Sequence, residues 1–150
     1  MTRVQRVLGG VVSIVAALAL GSSVANANEA EFDDHVVYYN VINTTFLSPE
    51  VARAYDVRRS SNRAMLNITV MERTDDGLQA VSADISGNAV NMNQQSRSLR
   101  FREIEDGDAI YQLSELTVRA GEEMTFNLEI TPAGSDEVLP IEFEQKFYVD

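Results

Sequence analysis

Ala64-Met65-Leu66-Asn67-Ile68-Thr69-Val70-Met71 is the stretch on which the fold class turns. Ala64, Leu66, Ile68 and Val70 recur at every second position, with Met65, Asn67, Thr69 and Met71 between them. Successive side chains of an extended chain point to opposite faces, so this alternation predicts a half-buried strand with its aliphatic row toward a core. The same period returns downstream. Val81, Ala83 and Ile85 restart it after Asp75-Asp76-Gly77, a hairpin-turn signal. Met124, Phe126, Leu128 and Ile130 alternate with Thr125, Asn127 and Glu129. After the punctuation of Pro132-Ala133-Gly134-Ser135-Asp136, Ile141, Phe143, Gln145, Phe147 and Val149 form a last series.

Outward from these segments, Val36 to Ile42 is rich in β-branched and aromatic residues, which suit a pleated surface. Leu99 and Phe101 mark a further strand running to the turn at Asp106-Gly107-Asp108, and Ile110 to Val118 follows it, ahead of a turn at Gly121. Gly87 inside a strand pattern signals a bulge or a close backbone approach. Asn88 to Ser96, with Asn and Gln in excess, reads as a loop or weak edge, and acidic Asn28 to Asp34 as a loose leader. Ser48-Pro49-Glu50 is a helix start, with Ser48 as cap and Pro49 at the first helical position, so a helix of about two turns ending near Tyr55 is predicted. Arg58 to Asn62 is a polar connection. About seven short, regularly spaced strands and one small helix predict an all-β, immunoglobulin-like antiparallel β-sandwich. Gly107-Asp108-Ala109-Ile110-Tyr111 resembles the approach to a tyrosine corner, in which the hydroxyl bonds back to upstream backbone.

The amino terminus sets the address. Arg3 and Arg6 form a basic head, Val7 to Leu20 an apolar run, and Ala25-Asn26-Ala27 an A-x-A site. That layout predicts a secretory signal peptide over residues 1–27, cleaved after Ala27. The apolar run is shorter than the about 20 residues that a bilayer-spanning helix needs, so no stable membrane insertion is expected. Residues 28–150 then form a single domain of ordinary size.

Of 12 basic residues, Arg3 and Arg6 lie in the leader, while all 23 acids lie beyond it. The processed chain therefore carries 10 basic against 23 acidic residues, a net charge of −13. Such a charge repels nucleic acid and anionic lipid headgroups. Cysteine is absent, which excludes disulfides, thiol catalysis, cysteine-ligated zinc and iron–sulfur clusters. The stability of this exported domain must come from its core.

Catalytic and metal chemistry find few tools. His35 is the only imidazole, and beside Asp33 and Asp34 it reads as a surface histidine paired with an acid. Glu103, Glu105, Asp106 and Asp108 crowd one turn without the ligand register of a calcium loop, so they read as a solvated turn. Met65, Met71, Met92 and Met124 have thioethers that suit copper(I), yet their strand positions favour packing. A Ser–His–Asp set would have to use His35, a Ser–Lys pair Lys146, and no G-x-S-x-G elbow occurs. No enzyme activity, cofactor or metal site is expected.

The basic residues are less evenly placed. Arg53, Arg58, Arg59 and Arg63 lie close together in sequence, and Arg97, Arg100 and Arg102 form a second group. Guanidinium groups grip carboxylate or phosphate two-pronged, so Arg58, Arg59 and Arg63 are the candidate contact for a partner or anion. The competing reading is that they neutralise the protein's own surplus of acids.

Several stretches resemble one family. Tyr39-Asn40 with Asn43-Thr44-Thr45-Phe46-Leu47-Ser48-Pro49-Glu50-Val51-Ala52-Arg53-Ala54-Tyr55 is similar to the opening of domain of unknown function 4426, a family of small exported proteobacterial proteins. Arg59 to Arg63, Phe101 to Ile104, Asp106 to Tyr111 and Phe143 to Tyr148 also look like that family. The resemblance implies a periplasmic, sandwich-like domain of a Gram-negative bacterium and brings no known activity. Many members carry a histidine directly before the Tyr-Asn pair; Tyr38 stands there here, which weighs against a histidine mechanism. The expectation is a non-enzymatic periplasmic binding or accessory module that contacts another envelope protein, through Arg58, Arg59 and Arg63 or a sheet edge. The alternative is a carrier of a small ligand, such as an acidic metabolite, a lipid or a cell-wall fragment.

Overall fold

The two longest alternating segments face each other across one core. The structure, a computed structural model, describes residues 28–148, so the predicted leader and Val149 lie outside the described residues. The described strands are β1 (Asn28–Glu31), β2 (His35–Asn43), β3 (Arg63–Thr74), β4 (Gly77–Val81), β5 (Ala83–Asn91), β6 (Ser96–Ser98), β7 (Arg102–Asp106), β8 (Ala109–Thr117), β9 (Glu123–Pro132) and β10 (Leu139–Lys146). They form two antiparallel sheets. The first runs β1-β2-β3-β8-β7, with β4 also paired to β3; the second runs β10-β9-β5-β6. The predicted antiparallel β-sandwich is what forms, with more strands than the seven or so expected.

Ala64, Leu66, Ile68 and Val70 of β3 and Met124, Phe126, Leu128 and Ile130 of β9 all join the core between the sheets. Each fully buried aliphatic or aromatic side chain there contributes about 1.5–3 kcal/mol. Sequence periodicity thus placed both walls of the core. It understated β3, whose second face is buried as well. Met65 packs with Leu47, Ala52, Val57, Tyr111 and Leu113 in a separate cluster. Its cover is α1 (Pro49–Ala54), where the Ser48 hydroxyl accepts from the Val51 N–H at 3.1 Å and Pro49 sits in the first turn, as the cap pattern predicts.

Three expectations need correction. Asn28 to Asp34 is no loose leader, because Asn28–Glu31 pairs with Val36–Tyr39 of β2. Asn88 to Asn91 belongs to the long strand β5 rather than to a loop, and only the turn beyond it is irregular. Leu99 and Phe101 stand between two strands: β6 pairs with β5 in the second sheet and β7 with β8 in the first. The chain therefore changes sheets at Leu99-Arg100-Phe101, with buried Leu99 anchoring the crossing. Alternation cannot register such a switch, since the residues on either side keep the same local pattern.

Gly87 is the close approach that its position suggests. It lies opposite Leu128 on β9, and a Cβ there would collide with the Asn127 carbonyl oxygen and stand 2.9 Å from Leu128 Cδ2. Gly77 closes the β3–β4 hairpin at φ 110°, a left-handed conformation that glycine adopts freely.

Candidate functional site

The arginine candidates are mostly occupied by their own protein. Arg59 donates from Nε to the Leu47 carbonyl at 2.8 Å and from Nη2 to the Thr45 carbonyl at 3.3 Å. It is a strap across the segment between β2 and α1. Arg63 reaches Glu115 at 3.2 Å, and Arg102 binds the other oxygen of the same carboxylate at 3.4 Å. Arg58 is exposed and has no side-chain partner among the described residues. Of the three, then, one guanidinium points to solvent uncommitted. The second group disperses: Arg97 pairs with Glu122 at 3.2 Å on the second sheet, while Arg102 serves the first.

Glu122 is the hub of the most connected polar cluster. It accepts from Arg97, from Asn91 Nδ2 at 3.2 Å and from the Arg119 N–H at 3.1 Å. Its side chain is 11 % exposed, so these bonds work in a partly desolvated setting. The network locks one end of the second sheet and leaves no site for a ligand within it.

His35 is not the surface residue expected. It is buried, its Nε2 lies 4.0 Å from Glu72, and neither ring nitrogen has a hydrogen-bond partner. The crowded acidic turn is partly committed too, with Glu103 accepting from Gln112 Nε2 at 2.8 Å and from the Ser82 hydroxyl. Among the described residues no three His, Asp or Glu side chains converge as metal ligands. Met65, Met71 and Met124 are buried in packing positions, and Met92 alone of the four is exposed.

Tyr111 is a core residue, as expected, but not a tyrosine corner. Its hydroxyl is buried with no partner, and its ring lies 5.9 Å from that of Tyr55. Burial, then the nearby Tyr55 and Asp106, push the phenol well above its ordinary value. Tyr55 is raised in the same direction by burial and by Asp106, which its hydroxyl approaches at 3.4 Å.

What sequence reasoning missed is a cleft. At one side of the sandwich the end of β2 and the end of β10 leave a hollow of about 320 Å³. It is lined by Val41, Ile42, Asn43 and Phe46 on one wall and by Gln145, Lys146, Phe147 and Tyr148 on the other. Phe46 is 72 % and Tyr148 77 % exposed, the largest aromatic surfaces left in water among the described residues. Lys146, the single lysine, holds its Nζ 5.6 Å from the centre of the Tyr148 ring. Two more open hollows lie on the second sheet, bordered by acids such as Glu129, Glu142 and Glu144; exposed Met92 lines one of them, but no aromatic side chain lines either. A signal for the cleft existed: Phe46 falls outside any alternating run and Tyr148 on the outward face of the last one, so neither aromatic has a core position assigned to it.

The family model for the domain of unknown function DUF4426 matches residues 29–150. No curated protein matches the sequence. A crystal structure of a DUF4426 family protein from Pseudomonas aeruginosa PAO1 is similar with a TM-score of 0.71 and 27 % identity, over 83 % of this chain and 96 % of that one. FetP of uropathogenic Escherichia coli strain F11 is similar with a TM-score of 0.58 and 7 % identity, over 82 % of this chain and 94 % of that one. A copper-bound variant of FetP aligns with a TM-score of 0.58 at 8 % identity, over 82 % of this chain and 95 % of that one. At such identities the likeness to FetP is one of fold. The match over nearly all of the sandwich is decisive, and the chain belongs to the DUF4426 family.

Proposed function

We propose that residues 28–150 form a non-enzymatic binding module of the Gram-negative periplasm, which docks another envelope protein at the cleft between Phe46 and Tyr148. The observation that carries this reading is the exposure of those two rings, 72 % and 77 %, on opposite walls of one hollow. Aromatic side chains are enriched among the residues that dominate protein interfaces, where a central apolar anchor sits inside a polar rim. Asn43, Gln145 and Lys146 supply such a rim. The export half of the proposal rests on the leader pattern over residues 1–27. Arg58 becomes a secondary contact, since Arg59 and Arg63 are engaged internally.

Copper handling, which the copper-bound FetP variant brings to mind, has less support. His35 is buried and belongs to no group of three converging His, Asp or Glu side chains among the described residues, and the thioethers of Met65 and Met124 are enclosed by core residues. A carrier role between the sheets is likewise weakly supported, because Phe126, Leu128 and Ile130 fill that space.

The test is site-specific photo-crosslinking in living cells. A crosslinking amino acid at Phe46 or Tyr148 is expected to trap one reproducible envelope protein, and the same group at Glu129 none. Equal capture from all three positions, or capture from Glu129 alone, overturns the cleft as the docking site.

A further inference from the structure

The cleft adjoins a break in the first sheet. The Phe32 N–H donates to the His35 carbonyl at 2.8 Å, and the Arg73 N–H donates to the Asp34 carbonyl at 2.9 Å. Backbone groups of successive strand residues point to opposite edges, so the odd-numbered residues of β2 face β1 and the even-numbered ones face β3. The rungs on the β1 side are thus His35, Val37 and Tyr39, opposite Phe32, Ala30 and Asn28. The next rung is Val41. Its N–H and C=O point to the same edge, and no described strand pairs with it there.

In a chain processed after Ala27, Asn28 is the first residue and β1 ends opposite Tyr39. Beyond Tyr39, β2 continues through Val41 to Asn43 with its outer edge unpaired among the described residues, and Val41 and Asn43 both line the aromatic cleft. Unpaired backbone edges are templates for another strand. No charged side chain or proline of β2 guards this stretch, whereas Pro140, Glu142 and Glu144 stud the exposed face of β10.

We propose that the partner binds as an added β-strand on the β2 edge at Val41–Asn43, in line with β1. Its occupant is an extended protein segment with an apolar side chain seated beside Phe46 and a carboxylate reaching Lys146, the cation on the cleft wall. The strand supplies backbone acceptor and donor to Val41, and the cleft selects among sequences by the side chain it accepts. This rests on the cleft being the docking site and adds the binding mode.

The experiment uses protein purified from periplasm and a phage-displayed library of linear peptides. Enriched peptides are expected to carry an apolar residue near an acid, and to protect the Val41 amide from hydrogen exchange. Val41→Pro removes the outward-facing donor without touching the bonds of β2 to β3, and Val41→Ala controls for the altered side chain at the cleft wall. The proline variant is expected to bind peptide about tenfold more weakly than the alanine variant, the upper end for one hydrogen bond. Circular dichroism and the melting temperature report whether that variant folds; if it does not, exchange at Val41 in the unaltered protein decides. Enrichment of no peptide, or enriched peptides that leave Val41 exchange unchanged, overturns strand addition. If Phe46→Ser abolishes crosslinked partner capture while folded Val41→Pro retains it, strand addition fails and docking at the cleft stands. If neither substitution alters capture, both fail.

Discussion

Tyr39 of β2 and Phe143 of β10 meet across the gap between the two sheets, with ring centroids 4.7 Å apart and planes tilted by 37°. Phe143 in turn stacks on Phe126 at 4.8 Å, with an interplanar angle of 7°. Phe126 meets the Phe147 ring edge-on at 6.5 Å. This aromatic chain closes the side of the sandwich just below the cleft. Its floor residue Phe147 lines the cleft and belongs to the core, which ties the geometry of a binding surface to global stability.

Phe143→Ala is therefore expected to destabilise the fold by about 2–4 kcal/mol, toward the lower part of the large-to-small range because the ring is only partly buried. A double-mutant cycle with Tyr39→Ala should return a coupling of about 1 kcal/mol, the excess that aromatic pairs show beyond area burial. Urea unfolding monitored by circular dichroism measures both. A coupling indistinguishable from zero would mean the two sheets are held at that side by other contacts.

Gly87→Ala places a methyl group against the Asn127 carbonyl and Leu128 side chain of the neighbouring strand. The β5–β9 pair is the centre of the second sheet and cannot separate without disturbing β10 and β6. A loss of about 1–3 kcal/mol is expected, in the range for forced overpacking. An unchanged unfolding midpoint would show that the strands yield locally.

Removing the Glu122 carboxylate with Glu122→Ala takes one acceptor each from Arg97, Asn91 Nδ2 and the Arg119 N–H, leaving Arg97 on the Thr117 carbonyl and Asn91 on Gln95. An expected cost of about 1.5–3 kcal/mol follows from losing charge-assisted hydrogen bonds in a partly desolvated setting. Arg59→Ala is a sharper local test. It frees the Thr45 and Leu47 carbonyls, so proteolysis between β2 and α1 should accelerate, whereas Arg58→Glu should leave both stability and proteolysis unchanged.

Alkaline pH should unfold the protein through its buried phenols. Tyr111 is held above its ordinary value of 10.0 in the folded state by burial, so above that pH the unfolded chain has released a proton that the folded chain retains. The unfolded state then binds fewer protons, and stability falls as pH rises past about 10. Full stability is present below that value. Tyr111→Phe removes the titrating group and an unpaired buried hydroxyl together, so it should be neutral or stabilising by up to about 1 kcal/mol at pH 7 and should move alkaline unfolding to higher pH. Tyrosinate absorbance followed against pH reads the transition.

How much was legible divides by the range of the interaction that encodes it. Alternation marks β3, β9 and β10 because a strand's two faces are written in adjacent residues. The helix cap at Ser48-Pro49, the Gly77 turn and the tight approach at Gly87 are likewise stated by one to three neighbours. Each of those readings holds in the fold. The arginine candidates were less legible: proximity in sequence brought Arg58, Arg59 and Arg63 together on paper, while their partners Leu47 and Glu115 lie outside that segment.

By itself, then, the sequence determined the class of the fold, the strands that wall its core, its small capped helix and its family, since all four depend on short-range pattern or on matched motifs. Only the tertiary structure decided that Asn28–Glu31 joins a sheet, that the chain changes sheets at Leu99–Phe101, and that both faces of β3 are buried. It also decided that Val41, Phe46, Lys146 and Tyr148 border one cleft. Those outcomes depend on which surfaces meet when segments distant along the chain pack together, and no local period or spacing carries that information.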